Sequence, residues 1–155
     1  MSEGKTYELS FDGYWRSENV DGIKADAGIY CAYRCTYNKP EKAGKKGTVS
    51  IKELIYIGEA KNLNKRIGEH EEKQDWKSKR KSGETLCYSV ALLTGGENDR
   101  LRAEAAMIFH HQPPENKEHK DSFGYPETTI KLTGDCNSYL STPAFTVEGY
   151  AEKNH

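Results

Sequence analysis

Two apolar stretches set the first limit on how this chain can fold. GIYCAYRC, from Gly28 to Cys35, and ELIYIGEA, from Glu53 to Ala60, are rich in β-branched and aromatic residues and too short for helices. The connection TYNKPEKAGKKGTVS is polar, basic and bears Gly and Pro, so it is expected to be an exposed loop or a mobile hairpin. Strands joined in this way pair with each other, and a charged, helix-like segment follows the second at once. Strand alternation puts Ile29, Cys31, Tyr33 and Cys35 on one face and Tyr30, Ala32 and Arg34 on the other. In the second strand it sets Ile55 and Ile57 opposite Leu54 and Tyr56.

The remaining segments complete the pattern. KTYELSFDGYW predicts a strand near residues 6 to 11, and SENVDGIKADAG is a turn-rich link. Residues 60 to 80 predict a helix, in which Leu63 and Ile67 make an apolar stripe and Asn62, Arg66 and His70 a polar line. ETLCYSVALL predicts a buried strand over 84 to 93. TGGEN breaks it and opens a helix, with Asn98 as its N-cap. That helix runs to about His111 and stops at Pro113-Pro114. TTIKLTGD and AFTVEGY predict a C-terminal strand pair, with CNSYLSTP a loop between them. The order implies an α+β fold, a small mixed or antiparallel central sheet flanked by helices. One domain over 1–155 is expected, with residues 1–25 and 120–155 adding flanking strands and Trp15 and Tyr139 packing there.

Charge and cysteine usage narrow the function. The net charge of −1 argues against a general nucleic-acid binder, which is usually basic. Yet KQDWKSKRK gathers Lys73, Lys77, Lys79, Arg80 and Lys81 against Asp75, either a solvated helix end or a phosphate-contact patch. The four cysteines, at 31, 35, 87 and 136, lack zinc spacing and are expected to be buried thiols. No apolar run approaches a membrane span and the N-terminus lacks a signal-peptide core, so a cytoplasmic location is expected.

Three features break local rules, as functional sites do. Tyr30 and Tyr56 sit on adjacent strands, where packed tyrosines with satisfied hydroxyls are the plain explanation. Arg66 and His70 share one helix face, which suits an anion between them, although both are also ordinary surface residues. Glu104 lies on the same helix face as Leu101, Ala105 and Ile108. A carboxylate there is costly unless it is paired, for example with Arg66, or holds a metal. No Ser or Cys triad and no Walker-type glycine loop is present. Phenols, a guanidinium, an imidazole and a carboxylate together suit phosphodiester hydrolysis.

Taken in order, Gly28-Ile29-Tyr30, Tyr56-Ile57-Gly58, AKNLNKRIGEH with Arg66 and His70, Glu104 in RLRAEAAMIFHHQPPEN, and Asn116 after the double proline resemble the GIY-YIG nuclease family over residues 28 to 116. The resemblance implies a metal-dependent endonuclease that hydrolyses DNA, with RNA also possible. Glu104 would hold one Mg²⁺ or Mn²⁺. Tyr30 would be the general base or would orient the water, and its pKa of about 10 would need lowering by the metal, Arg66 or His70. Tyr56 would bond a phosphate oxygen, Arg66 would bind the scissile phosphate, His70 would bond Tyr30 and share the base role, and Asn116 would brace the site.

The basic insert from Lys39 to Lys46 is like the enlargement of restriction-type members, where it helps bind DNA. Lys45, Lys46, Lys61, Lys65, Lys73, Lys77, Lys79, Arg80 and Lys81 are therefore the DNA-binding candidates. No separate DNA-binding module is visible, so targeting is expected from the core's own loops, the flanking strands or a partner protein, and double-strand cutting from a homodimer or two encounters. The competing functions are a nuclease subunit, or a phage, mobile-element or toxin nuclease, directed by a partner, and a non-catalytic nucleic-acid-binding domain. The intact set of site residues argues against the last. His110, His111 and His119 offer a second metal site, or simply polar helix-end residues.

Overall fold

The structure is a computed structural model that describes residues 3–45, 47–73 and 83–153. In chain order the elements are β1 (Lys5–Arg16), a 3₁₀ turn (Ser17–Gly22), β2 (Gly28–Asn38), β3 (Thr48–Ala60), α1 (Leu63–Lys73), β4 (Thr85–Leu92), α2 (Glu97–His111), β5 (Thr128–Gly134) and β6 (Ala144–Val147). They form one six-stranded sheet in the order β3-β2-β4-β1-β5-β6. Every pairing is antiparallel except β1 with β5, so the expected α+β class with a mixed sheet is observed.

Both faces of the sheet are covered. Ile29, Cys31, Tyr33 and Cys35 of β2 pack in one cluster with Ala103, Ala106 and Met107 of α2. Tyr30 and Ala32 pack in the other, with Leu63 and Ile67 of α1 and Val20 and Ile23 from the 3₁₀ turn and the residue after it. The alternation expected for β2 therefore holds. Cys31, Cys35 and Cys87 are buried free thiols and Cys136 is half-buried.

The strand β3 departs from simple alternation, and the departure matters for function. Ala32 pairs with Tyr56 but Tyr33 pairs with Leu54, so Ile55 is an extra, bulged residue. The bulge turns Ile55 and Tyr56 to the α1 face, while Leu54 and Ile57 join the α2 cluster. Sequence alternation had set Tyr56 beside Leu54; the bulge instead aims Tyr56 to the same side as Tyr30. The Ile55 carbonyl accepts the Glu115 N–H at 2.9 Å, so the loop after α2 is pinned at the bulge.

Other boundaries also move. β1 runs to Arg16, with an irregularity between Asp12 and Trp15, and lies inside the sheet rather than at its margin. The basic connection is shorter than expected, because β2 extends to Asn38 and β3 starts at Thr48. Asn62 is not part of a helix face: its side-chain oxygen accepts the Lys65 N–H at 3.0 Å and caps α1. The expected continuation of that helix to residue 80 lies outside the described residues. α2 opens at Glu97 behind Gly96, whose φ of 115° a side chain would resist, so Asn98 sits inside the helix and is not its cap. Leu101 is only half-buried, and Ala103 and Met107 take the core role expected of it. Trp15 packs in the α1 cluster, whereas Tyr139 is largely exposed and its hydroxyl donates to the Lys52 carbonyl at 2.6 Å.

A buried arginine fixes how α2 lies on the sheet. Arg102 donates to Thr128 Oγ1 at 2.8 Å and to the carbonyls of Glu3, Pro126 and Glu127 at 3.1, 3.2 and 2.7 Å. Among the described residues, no helix is long and apolar enough to cross a membrane.

Candidate active site

The two glycines of the tyrosine tripeptides are both positions of close approach. A Cβ on Gly28 would sit 2.1 Å from the Ala91 carbonyl oxygen of β4. A Cβ on Gly58 would sit 2.5 Å from the Tyr30 ring, because Tyr30 and Gly58 are register partners and the ring lies over the bare backbone. The glycines thus let Tyr30 lie flat on β3 with only 1% of its surface exposed. From there its hydroxyl reaches His70 Nε2 at 2.8 Å. The Tyr30, Tyr56 and His70 rings form a triangle with centroids 5.8 to 6.1 Å apart.

The helix α1 supplies His70 and Arg66 because Leu63 and Ile67, each fully buried, clamp its other face onto the sheet. Its far end is held by Glu71, whose carboxylate accepts hydrogen bonds from the buried Tyr88 hydroxyl and from Ser17 Oγ. Arg66 is exposed, and among the described residues no carboxylate pairs with it. Asn116 braces β3 from the other side. Its side-chain oxygen accepts the Ile57 N–H at 2.9 Å and its amide donates to the Ile57 carbonyl at 2.9 Å. This clasp fixes the backbone between Tyr56 and Gly58.

Glu104 projects from α2 toward the tyrosines. The ion pair with Arg66 weighed from the sequence does not form; instead burial, and then the nearby Glu59 carboxylate, push its carboxyl up to about 7. Glu118 adds to the rise and Arg66 opposes it. Glu59 itself is held by Arg100 at 3.0 Å. Burial also raises the Tyr30 and Tyr56 phenols above their ordinary value, with Tyr56 the next cause for Tyr30 and Glu104 the next for Tyr56. Arg66 works in the lowering direction on both, but burial outweighs it. The lowering that a Tyr30 base would need is therefore not supplied by Arg66 in the protein alone.

This carboxylate environment suits a hard divalent cation. Burial and two acidic neighbours disfavour an ionised Glu104, and a cation would relieve that cost. Among the described residues no group of three or more His, Cys, Asp or Glu side chains is placed to hold a metal. A single carboxylate still fits Mg²⁺, which keeps several waters and takes its other ligands from phosphate. The His110, His111 and His119 alternative gains no support. His110 Nε2 and Ser141 Oγ are 2.8 Å apart, and His111 donates from Nδ1 to the Met107 carbonyl and accepts the Ser141 N–H at Nε2.

Two cavities meet this site. One of about 240 Å³ is lined by Tyr56, Glu104, Asn116, Glu118 and His119. The other, of about 590 Å³, is lined by Glu59, Lys61, Lys65, Arg66 and Arg100. Two of the lysines singled out for DNA contact, Lys61 and Lys65, thus lie beside Arg66, whereas Lys45 lies on the β2–β3 connection toward the opposite end of β2. Lys46, Lys77, Lys79, Arg80, Lys81 and the side chain of Lys73 lie outside the described residues. Sequence reasoning missed Arg100 and Glu59. Their signal was the four-residue spacing of Arg100 and Glu104 on α2, and an acid directly after Tyr-Ile-Gly.

A family model described as the GIY-YIG catalytic domain matches residues 35–118. The match starts within β2, past Gly28–Tyr30, so the first tripeptide is placed by strand register instead. Similar curated proteins are the UvrABC system protein C of Fervidobacterium nodosum, 39% identical over 105 residues, and of Thermosipho africanus, 36% identical over 94 residues. The corresponding protein of Aquifex aeolicus is 35% identical over 103 residues. These matches cover 65%, 61% and 63% of this chain but only 17% of each relative's length. No solved structure matches the chain significantly.

Proposed function

The chain belongs to the GIY-YIG family, and from that premise we propose that it is a metal-dependent DNA endonuclease whose scissile phosphate lies among Tyr30, Tyr56, Arg66, His70 and Glu104. The observation that carries this reading is the partly buried Tyr30–His70 hydrogen bond beside a carboxyl raised to about 7. The Glu59 backbone hydrogen bond and Arg66 favour the ionised form, but burial and the neighbouring acids outweigh them.

In this reading Arg66 binds the phosphate, because it is exposed on the site side of α1 and no carboxylate among the described residues holds it. Tyr56, half-buried next to Glu104, donates to a phosphate oxygen. Tyr30 passes a proton. Its oxygen takes the proton of the attacking water as its own proton moves to His70 Nε2, 2.8 Å away. A raised phenol pKa is compatible with this exchange, because no tyrosinate has to accumulate. Asn116 acts as a positioning residue through the Ile57 backbone. Glu104 would hold Mg²⁺ or Mn²⁺, which would stabilise charge building on the phosphate oxygens.

A second reading has a specific basis. The relatives are named as components of a UvrABC system, and this chain matches 17% of their length. With a net charge of −1, the chain would then be a nuclease unit brought to DNA by another protein. One experiment separates the two: purified protein is incubated with supercoiled plasmid and Mg²⁺, Mn²⁺ or EDTA, beside Glu104→Ala. Metal-dependent nicking lost in the variant supports an autonomous endonuclease. Wild-type DNA binding without nicking shifts the reading to a partner-directed unit.

A further inference from the structure

A cavity larger than the two at the catalytic site lies away from it. It encloses about 780 Å³ where β1 leaves the sheet and the β2–β3 hairpin folds over, and its walls include Trp15, Arg16, Asn19, Tyr37, Lys45 and Thr48. Tyr37 lies seven residues along β2 from Tyr30, about 23 Å away at strand rise. The Arg16 guanidinium sits 3.7 Å from the centroid of the Tyr37 ring. A Cβ on Gly47 would come within 2.4 Å of the Tyr37 hydroxyl, so the hairpin backbone closes against the same ring. Arg16, the register partner of Cys87, and Tyr37, which alternates in step with Cys35, lie on the α2 face of the sheet, opposite Tyr30, and Trp15 closes the wall from the α1 face.

This cavity has the chemistry of a nucleotide site and no role in the hydrolysis derived above. A guanidinium already stacked on an aromatic ring is oriented to present its N–H edge to an anion. The carboxylate within ion-pair distance of Arg16 is that of Glu18, at 3.5 Å and 77% exposed, an easy partner for a phosphate to displace. Lys45 adds a second cation and Asp12 is the acid on the wall. Rings that can face a base or sugar beside cations that neutralise phosphate are the usual components of nucleic-acid grooves.

We propose that the Arg16–Tyr37 cavity binds one phosphate–sugar–base unit of DNA away from the cleaved bond, at the other end of β2 from Tyr30. The proposal rests on the DNA-endonuclease reading. It gives the enzyme a second handhold on DNA, at the end of the sheet away from the chemistry.

The two kinds of group predict different signatures. DNA binding is measured by fluorescence anisotropy with the full chain in EDTA, over a series of salt concentrations. Arg16→Ala should weaken binding about tenfold and flatten the slope of log affinity against log salt by about one, as loss of one phosphate contact does. Arg16→Lys should restore the slope. Tyr37→Leu should weaken binding about fivefold or more with the slope unchanged, because stacking releases no counterions. Asn19→Glu, at an exposed rim position, adds repulsion without touching the core and should weaken binding as Arg16→Ala does. Wild-type affinity and slope in both Arg16→Ala and Asn19→Glu would overturn the proposal while leaving the nuclease reading intact. Wild-type protein that neither binds nor nicks DNA would overturn both.

Discussion

Arg102 and Glu104 stand two residues apart on α2 and are treated in opposite ways. Arg102 faces β5, is 8% exposed, and spends its donors on one hydroxyl and three backbone carbonyls. Glu104 faces β3, lies among other carboxylates, and is pushed toward neutrality. A buried charge that is fully satisfied holds the fold together. A buried charge that is left costly marks where something else must bind. The same helix is therefore a structural strut on one flank and the floor of a site on the other.

This contrast can be broken most sharply at Glu104 itself. Glu104→Gln should lower plasmid nicking by about three orders of magnitude or more, the scale of losing the group that positions and neutralises a phosphate. In EDTA at pH 8 its thermal midpoint should equal or exceed that of wild type, since the ionised carboxylate is the form that burial disfavours. A variant that unfolds would show that Glu104 belongs with Arg102 as a structural group. On the other flank, Arg102→Met should cost about 3 kcal/mol in denaturant unfolding, because three carbonyls and Thr128 lose their donor. Activity per folded molecule should persist.

Much of this site was legible in the chain, and the illegible parts have physical causes. Tyr30, Tyr56, Arg66, His70, Glu104 and Asn116 could be picked out because each breaks a local pattern or completes a motif. Alternation could not place Tyr56, since a bulge at Ile55 is set by pairing with β2 and by the Glu115 contact rather than by the residues of β3 alone. The role of Gly58 was hidden for a similar reason: only register shows that Tyr30 lies over it. The rise in the Tyr30 pKa was not legible, because the nearby charges can be named from the sequence and the depth of burial cannot. Arg100 and Glu59 each stand beside a motif residue, but that they pair escaped notice because only the packing of α2 on β3 brings them together.

Smaller effects sharpen the same comparison. Gly58→Ala sets a methyl group against the Tyr30 ring, so nicking should fall about tenfold to a hundredfold, with about 1 to 3 kcal/mol lost in stability. If activity is unchanged, Tyr30 does not need its place over β3. At the C-terminal end of α2, His111 is held neutral, with a pKa lowered to about 4 first by burial. Its folded pKa lies below the unfolded value of about 6.5, so the neutral imidazole contributes stability that is complete above pH 6.5. That contribution is lost as pH falls toward 4. Urea unfolding across this window should show a decline of about 1 to 3 kcal/mol that His111→Gln flattens. An unchanged slope in the variant would assign the acid sensitivity to another group.

The central claim is that Tyr30 and His70 move the proton while Tyr56 only binds phosphate. Single-turnover DNA cleavage by Tyr30→Phe and Tyr56→Phe, each with saturating Mg²⁺, tests it most directly. The account predicts that Tyr30→Phe loses about a thousandfold in the rate of the bond-breaking step and Tyr56→Phe about tenfold to a hundredfold. Equal losses in the two variants, or the larger loss in Tyr56→Phe, would contradict it.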